Sequence, residues 1–140
     1  MMHVKTCPIL LVEDDHVDVL TVRRALKEIH VANPLVLAEH GEAALAHLAD
    51  PQQPRPCLIL LDLNMPIMNG IECLQAIKAH PEWRRIPVVV LTTSQEDEDK
   101  VSSFNLSAAG YMTKPVDYQK FVDAMRTIDA YWTLSETAPT

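Results

Sequence analysis

The chain has 140 residues, 48% of them hydrophobic, with a formal net charge of −7 and a pI near 5.2. That length suits one compact domain with a single core, residues 1–140, and leaves no room for a second globular unit. The acidic balance excludes nonspecific affinity for nucleic acid or anionic membrane, because phosphate contacts need a basic face and no basic run occurs.

The first strand is predicted at Ile9-Leu10-Leu11-Val12, which ends in Glu13-Asp14-Asp15. Val19, Val22, Leu26 and Ile29 recur at helical spacing through about residues 16 to 30, with Arg23, Arg24, Lys27 and Glu28 on the wet side. Asn33-Pro34 breaks that helix and Leu35-Val36-Leu37 reads as a short strand. Gly41 to Ala49 is an Ala/Leu-rich helix ended by Asp50-Pro51, and the stretch to Pro56 is a surface connection. Cys57-Leu58-Ile59-Leu60-Leu61 forms a buried strand closed by Asp62, then Leu63-Asn64-Met65-Pro66. The third helix runs from about Gly70 to Ala79 with Ile71, Leu74 and Ile77 inward, and His80-Pro81 ends it. Pro87 opens the strand Val88-Val89-Val90-Leu91, which leads into Thr92-Thr93. Ser94 and Asp97 are spaced as a capping pair for a helix from about 95 to 108, with Val101, Phe104 and Ala108 inside. Tyr111-Met112-Thr113 ends in Lys114-Pro115, and the last helix spans about 116 to 130 with Phe121, Met125 and Ile128 inward. A fivefold strand-helix alternation with wholly apolar central strands predicts a parallel sheet covered on both faces.

Four strands therefore deliver acids, a hydroxyl and an ammonium at their carboxyl ends, the place where open α/β sheets bind ligands. Asp62 is expected to be rigid and exposed there. Glu13, Asp14 and Asp62 brought to about 4 Å would repel by ~4 kcal/mol per pair at an effective dielectric of 20, so a cation must offset them. An all-oxygen site of this kind is what Mg²⁺ selects, and Lys114 supplies further positive charge. A carboxylate in that setting can attack phosphorus and form an aspartyl phosphate, with Thr92 placed to donate to the phosphoryl group. Alone, each residue has a plainer reading: Asp62 as a turn or cap, Lys114 as a solvated charge, Thr92 as a hydroxyl bonded to backbone.

Leu10-Leu11-Val12-Glu13-Asp14, Leu60 to Gly70, Leu91-Thr92-Thr93 and Tyr111-Met112-Thr113-Lys114-Pro115 together resemble the receiver domain of two-component response regulators, over about residues 7 to 130. The resemblance implies a flavodoxin-like fold, a doubly wound five-stranded parallel sheet of order 2-1-3-4-5 with five helices. It implies phosphotransfer from a partner kinase's phosphohistidine to Asp62, in a protein that turns over no other substrate. Mg²⁺ would be held by Glu13, Asp14, Asp62 and the Asn64 carbonyl. Glu13 stands where many receivers have Asp, so the longer side chain is expected to reach the metal through water. Lys114 would bind phosphate and precede a cis bond to Pro115, while Thr92 and Tyr111 would be the switch pair. With no effector domain following, output is expected through docking. Leu91 to Ser94 and the tail Tyr131-Trp132-Thr133-Leu134, placed just past the last helix, resemble the small regulators paired with bacterial and cyanobacterial phytochromes. Those dimerise through helix 4, strand 5 and helix 5, here joined by the tail at 131–140. Tyr131 and Trp132 can equally cap the core. A chemotaxis-type or other stand-alone receiver acting as a phosphorelay intermediate is the alternative.

A phosphatase of the haloacid dehalogenase type would need Asp-x-Asp-x-Thr, and positions 64 and 66 are Asn and Pro. A flavin module would need a phosphate-cradling loop where Glu13-Asp14-Asp15 repels phosphate. Met1 to Lys5 carries no signal-type stretch and no apolar run nears the ~20 residues of a membrane span, so a cytoplasmic protein is expected. Cys7, Cys57 and Cys73 are odd in number and two border apolar strands, which favours buried free thiols over disulfides. The six histidines lack metal spacing: His40 and His47 read as surface residues and His16 as a solvated loop residue.

Overall fold

The computed structural model describes residues 7–65, 68–93, 95–103, 105–106, 108–114 and 117–137. Strands β1 (Ile9–Val12), β2 (Leu35–Ala38), β3 (Leu58–Asp62), β4 (Val88–Thr92) and β5 (Gly110–Thr113) form one sheet. Its order is β2-β1-β3-β4-β5 with every pairing parallel, as expected. Helices α1 (His16–Glu28), α2 (Gly41–Ala49), α3 (Gly70–Ala79), α4 (Gln95–Ser103) and α5 (Tyr118–Thr137) alternate with the strands.

Both faces of the sheet are dry, which is why β1, β3 and β4 are apolar almost throughout. Leu10, Val12, Ile59, Leu61, Val88 and Val90 pack with Ala44, Cys73, Leu74, Ile77 and Val101 from α2, α3 and α4. Their neighbours of opposite parity, Ile9, Leu11, Leu58, Leu60, Val89 and Leu91, pack with Val19, Val22, Ala25 and Leu26 of α1 and Phe121, Val122 and Met125 of α5. β2 and β5 are the edges and are only partly covered.

Helix ends follow local chemistry more closely than the hydrophobic period does. Asp15 caps α1 by accepting from Val17 N and Asp18 N. The helix stops at Glu28, ahead of the expected residue 30. His30 takes φ 61° and lets its own N–H and that of Val31 return to Lys27 O and Leu26 O, so a left-handed cap, and not Pro34, ends it. Asn105, φ 57°, does the same beyond α4, with Leu106 N bonded to Val101 O, so α4 is shorter than the 95–108 expected. Val101 is buried as expected, Ala108 lies beyond the helix, and Phe104 and Ser94 fall outside the described residues. Helix α5 begins at Tyr118, where Asp117 Oδ1 accepts from Lys120 N, and continues to Thr137. The tail residues Tyr131 and Trp132 therefore lie within the helix and not past it. No Gly or Pro interrupts the chain between them and Pro139.

The cysteine expectation is corrected. Cys7 and Cys57 form a disulfide with Cα atoms 5.5 Å apart, and only Cys73 is free. Cys57 stands immediately before β3 and Cys7 two residues before the neighbouring strand β1, whose register pairs Ile9 with Leu58, so the fold itself brings the two close together. Asn33, buried, donates to Cys7 O at 2.8 Å and ties the entry to β2 to the same corner.

Candidate functional site

The carboxyl ends of β1, β3, β4 and β5 are fixed by backbone hydrogen bonds that continue past the ladders. Leu63 N donates to Leu91 O at 3.0 Å and Lys114 N to Thr92 O at 2.9 Å. Gly70 holds the loop after β3 from beneath: its N–H meets Leu63 O at 3.0 Å. A Cβ at that position would stand 2.5 Å from the carbonyl oxygen of Asp62. Only glycine allows α3 to start so close to the strand end. The Asn69–Glu72 capping box then fixes the helix entry.

Four side chains meet as expected. Lys114 Nζ lies 2.9 Å from Asp62 Oδ2 and 2.9 Å from Glu13 Oε2. Oxygens from Glu13, Asp14 and Asp62 all fall within 4.8 Å of one another. Asp62 is not exposed, contrary to expectation: its side chain is 0% accessible. Oδ1 accepts from Asn64 N at 2.9 Å while Lys114 covers Oδ2. The ammonium that balances the pocket is also what closes it. Glu13, likewise 0% accessible, turns Oε2 back to the N–H groups of Asp14 and Asp15 as well as to Lys114. Its Oε1 is buried without a hydrogen-bond partner.

Electrostatics follow from that crowding. Burial, opposed by the Asp15 N–H and Lys114 but reinforced by Asp62, pushes the Glu13 carboxyl up from 4.5 to about 7. Burial acts against the Lys114 ammonium, yet hydrogen bonds to Asp62 and Glu13 outweigh it and hold the group above the usual lysine range.

A fourth carboxylate was not foreseen. Asp18, 3% accessible, places Oδ2 3.4 Å from Lys114 Nζ. Its signal lay in the periodicity, for Asp18, Val22 and Ala25 share one inward stripe of α1 and all three are buried. Asp97, spaced as half of a capping pair, also accepts the Thr92 hydroxyl on its Oδ2 at 2.9 Å. Thr92 thus donates to a side chain, and it is 2% accessible. Asn64 Nδ2 donates to Thr93 Oγ1 at 3.2 Å, linking the loops after β3 and β4. Tyr111 is 38% accessible on the edge strand and lines a cavity with Met112 and Lys114. Pro115 lies outside the described residues.

His16 is exposed at the start of α1, whereas His40 and His47 are not simple surface residues. His40 Nδ1 caps α2 by accepting from Ala43 N, and His47 Nε2 is buried.

Three clustered carboxylates and one orphaned carboxylate oxygen make a hard, all-oxygen donor set, which fits a divalent cation better than a soft metal. The sequence matches the response regulator receiver domain over residues 9–126. The chain belongs to that family. It is therefore a signalling protein of the receiver type. It is 39% identical over 135 residues to the response regulator Rcp1 of Synechocystis sp., covering 94% of this chain and 92% of Rcp1. Among solved structures it is similar to the Mn²⁺-bound form of Rcp1, at 38% identity, TM-score 0.78, and 96% and 99% of the two chains. The phosphorylated cyanobacterial phytochrome response regulator RcpA matches at 35% identity and TM-score 0.79, over 96% and 99%. As a receiver, this chain carries the fold expected of it, and its acidic cluster lies at the carboxyl ends of β1 and β3.

Proposed function

We propose that this receiver is a single-domain response regulator that accepts a phosphoryl group on Asp62 from the phosphohistidine of a phytochrome-class kinase in the cytoplasm. The observation that carries the reading is Lys114 Nζ at 2.9 Å from both Asp62 and Glu13, with Asp14 alongside. Names of two similar proteins support the partner class: the cyanobacterial phytochrome response regulator RcpA and the bacteriophytochrome response regulator AtBRR, the latter matched at 36% identity and TM-score 0.75 over 88% of this chain.

In the step itself, a carboxylate oxygen of Asp62 forms a bond to phosphorus as the N–P bond to the kinase histidine breaks and its electron pair returns to the imidazole. Lys114 must first leave Asp62 Oδ2, and it then pairs with the incoming phosphoryl oxygens. Glu13, Asp14, Asp62 and the Asn64 carbonyl would hold Mg²⁺, which supplies positive charge against the developing anion. Thr92 donates to a phosphoryl oxygen, and Tyr111 changes rotamer with it. The added charge of about −1.5 to −2 rewards the state in which Thr92 and Lys114 reach the phosphate. The protein catalyses only its own phosphorylation and dephosphorylation. Val17 and Leu20, 70% and 54% accessible on α1 beside the pocket, offer an apolar surface to a docking kinase. Output passes through a homodimer face of α4, β5, α5 and the C-terminal tail. Neither nucleic acid nor membrane takes part, consistent with a net charge of −7.

The partner is tested by presenting autophosphorylated kinases of the phytochrome and chemotaxis classes to the protein with Mg²⁺. Faster transfer from the phytochrome kinase is expected, and preference for the chemotaxis kinase contradicts the assignment. Sedimentation before and after phosphorylation tests the dimer.

A further inference from the structure

Thr92 has one hydroxyl proton, and in this structure Asp97 takes it. The bond runs from the end of β4 to the first turn of α4, 2.9 Å between Thr92 Oγ1 and Asp97 Oδ2, with Thr92 buried. Position 92 shares the parity of Val88 and Val90, which pack toward α2, α3 and α4, whereas Asp62 shares that of Leu58 and Leu60 on the opposite layer. The hydroxyl thus faces away from Asp62 while Asp97 holds it. An ionised carboxylate offers only lone pairs, so Thr92 cannot donate to Asp97 and to a phosphoryl oxygen at Asp62 at once.

We infer that Asp97 is a latch: a positioning residue that competes with the phosphoryl group for the Thr92 proton and biases the receiver toward its unphosphorylated state. This rests on the reading of Asp62 as phosphoacceptor and adds the element that opposes it. Phosphorylation pulls the hydroxyl across, and the first turn of α4 loses a bond that ties it to β4. An exchangeable hydrogen bond with two discrete arrangements thus couples phosphate to helix.

The test uses the full chain with Mg²⁺ and beryllofluoride, a stable mimic of the aspartyl phosphate, titrated by fluorescence or calorimetry. Asp97→Ala removes the competing acceptor and should tighten binding about three- to tenfold, the range a charge-assisted hydrogen bond to a partly exposed carboxylate allows. Asp97→Asn keeps a weaker, neutral acceptor and should fall between. Glu98→Gln removes an equal charge from the same helical turn while leaving the Asp97 acceptor in place, and should change affinity much less than Asp97→Ala. In a Thr92→Ala background the Asp97→Ala gain should vanish. Unchanged affinity in Asp97→Ala, an equal gain in Glu98→Gln, or a gain that survives without Thr92 would each overturn the latch. A wild type that fails to bind the mimic would overturn the phosphoacceptor reading as well, so the two failures are distinguishable.

Discussion

Replacing Glu13 by Gln in metal-free protein should change how stability depends on pH. Burial is the main reason the Glu13 carboxyl rises from 4.5 to about 7, with Asp62 adding to it. Between those values the unfolded chain has lost the proton and the folded chain keeps it. The folded state binds more protons, so stability falls as pH rises through this window. The shift, 7 − 4.5, is about 2.5 units, which at ~1.36 kcal/mol per unit makes the full loss about 3 kcal/mol. Most of it, ~2–3 kcal/mol, should appear between about pH 5 and about pH 8, a difference of roughly 8 °C in Tm for a domain of this size. Glutamine cannot titrate and removes this contribution. Thermal melts in EDTA across that range should show the wild type losing stability relative to Glu13→Gln by that amount. Mg²⁺ should recover most of the wild-type loss at the upper end, because a cation among these oxygens favours ionised Glu13. Parallel pH profiles for the two proteins would refute the claim that Glu13 is buried against Asp62 at a cost.

Gly70→Ala sets a Cβ 2.5 Å from the Asp62 carbonyl oxygen and should cost ~2–4 kcal/mol while slowing phosphorylation, as urea melts and labelling with acetyl phosphate can measure. A wild-type-like variant would mean that α3 does not brace the strand end. Reducing the Cys7–Cys57 disulfide opens a loop of 50-residue separation, for which the chain-entropy model gives ~4 kcal/mol. Urea denaturation with and without reductant, and of Cys57→Ser, should show a loss on that order, and equal midpoints would contradict the pairing.

The fold was legible because the strands are dry on both faces: uninterrupted apolar runs at β1, β3 and β4, each capped by a polar group, left one architecture. The candidate site was legible for the same reason, since a strand end is a fixed place, and Glu13, Asp14, Asp62, Thr92 and Lys114 all end or follow strands. What failed concerned contacts that depend on three-dimensional neighbours. Lys114 lies on Asp62 and buries it, which no local pattern predicts. Cysteine usage outweighed strand adjacency, although a sheet of order 2-1-3 already places residues before β1 and β3 side by side. Helix ends moved because His30 and Asn105 adopt left-handed caps that carry no glycine to mark them. Asp18 is not marked by its residue type, since acids in amphipathic helices are usually wet, although it stands on the stripe of Val22 and Ala25.

The most direct measurement is mass spectrometry after incubation with acetyl phosphate and Mg²⁺, with the modified residue located by peptide mapping. One hydroxylamine-labile phosphoryl group should appear on Asp62 and be absent from a folded Asp62→Asn variant. Undiminished labelling of that variant, or none on the wild type, would contradict the account.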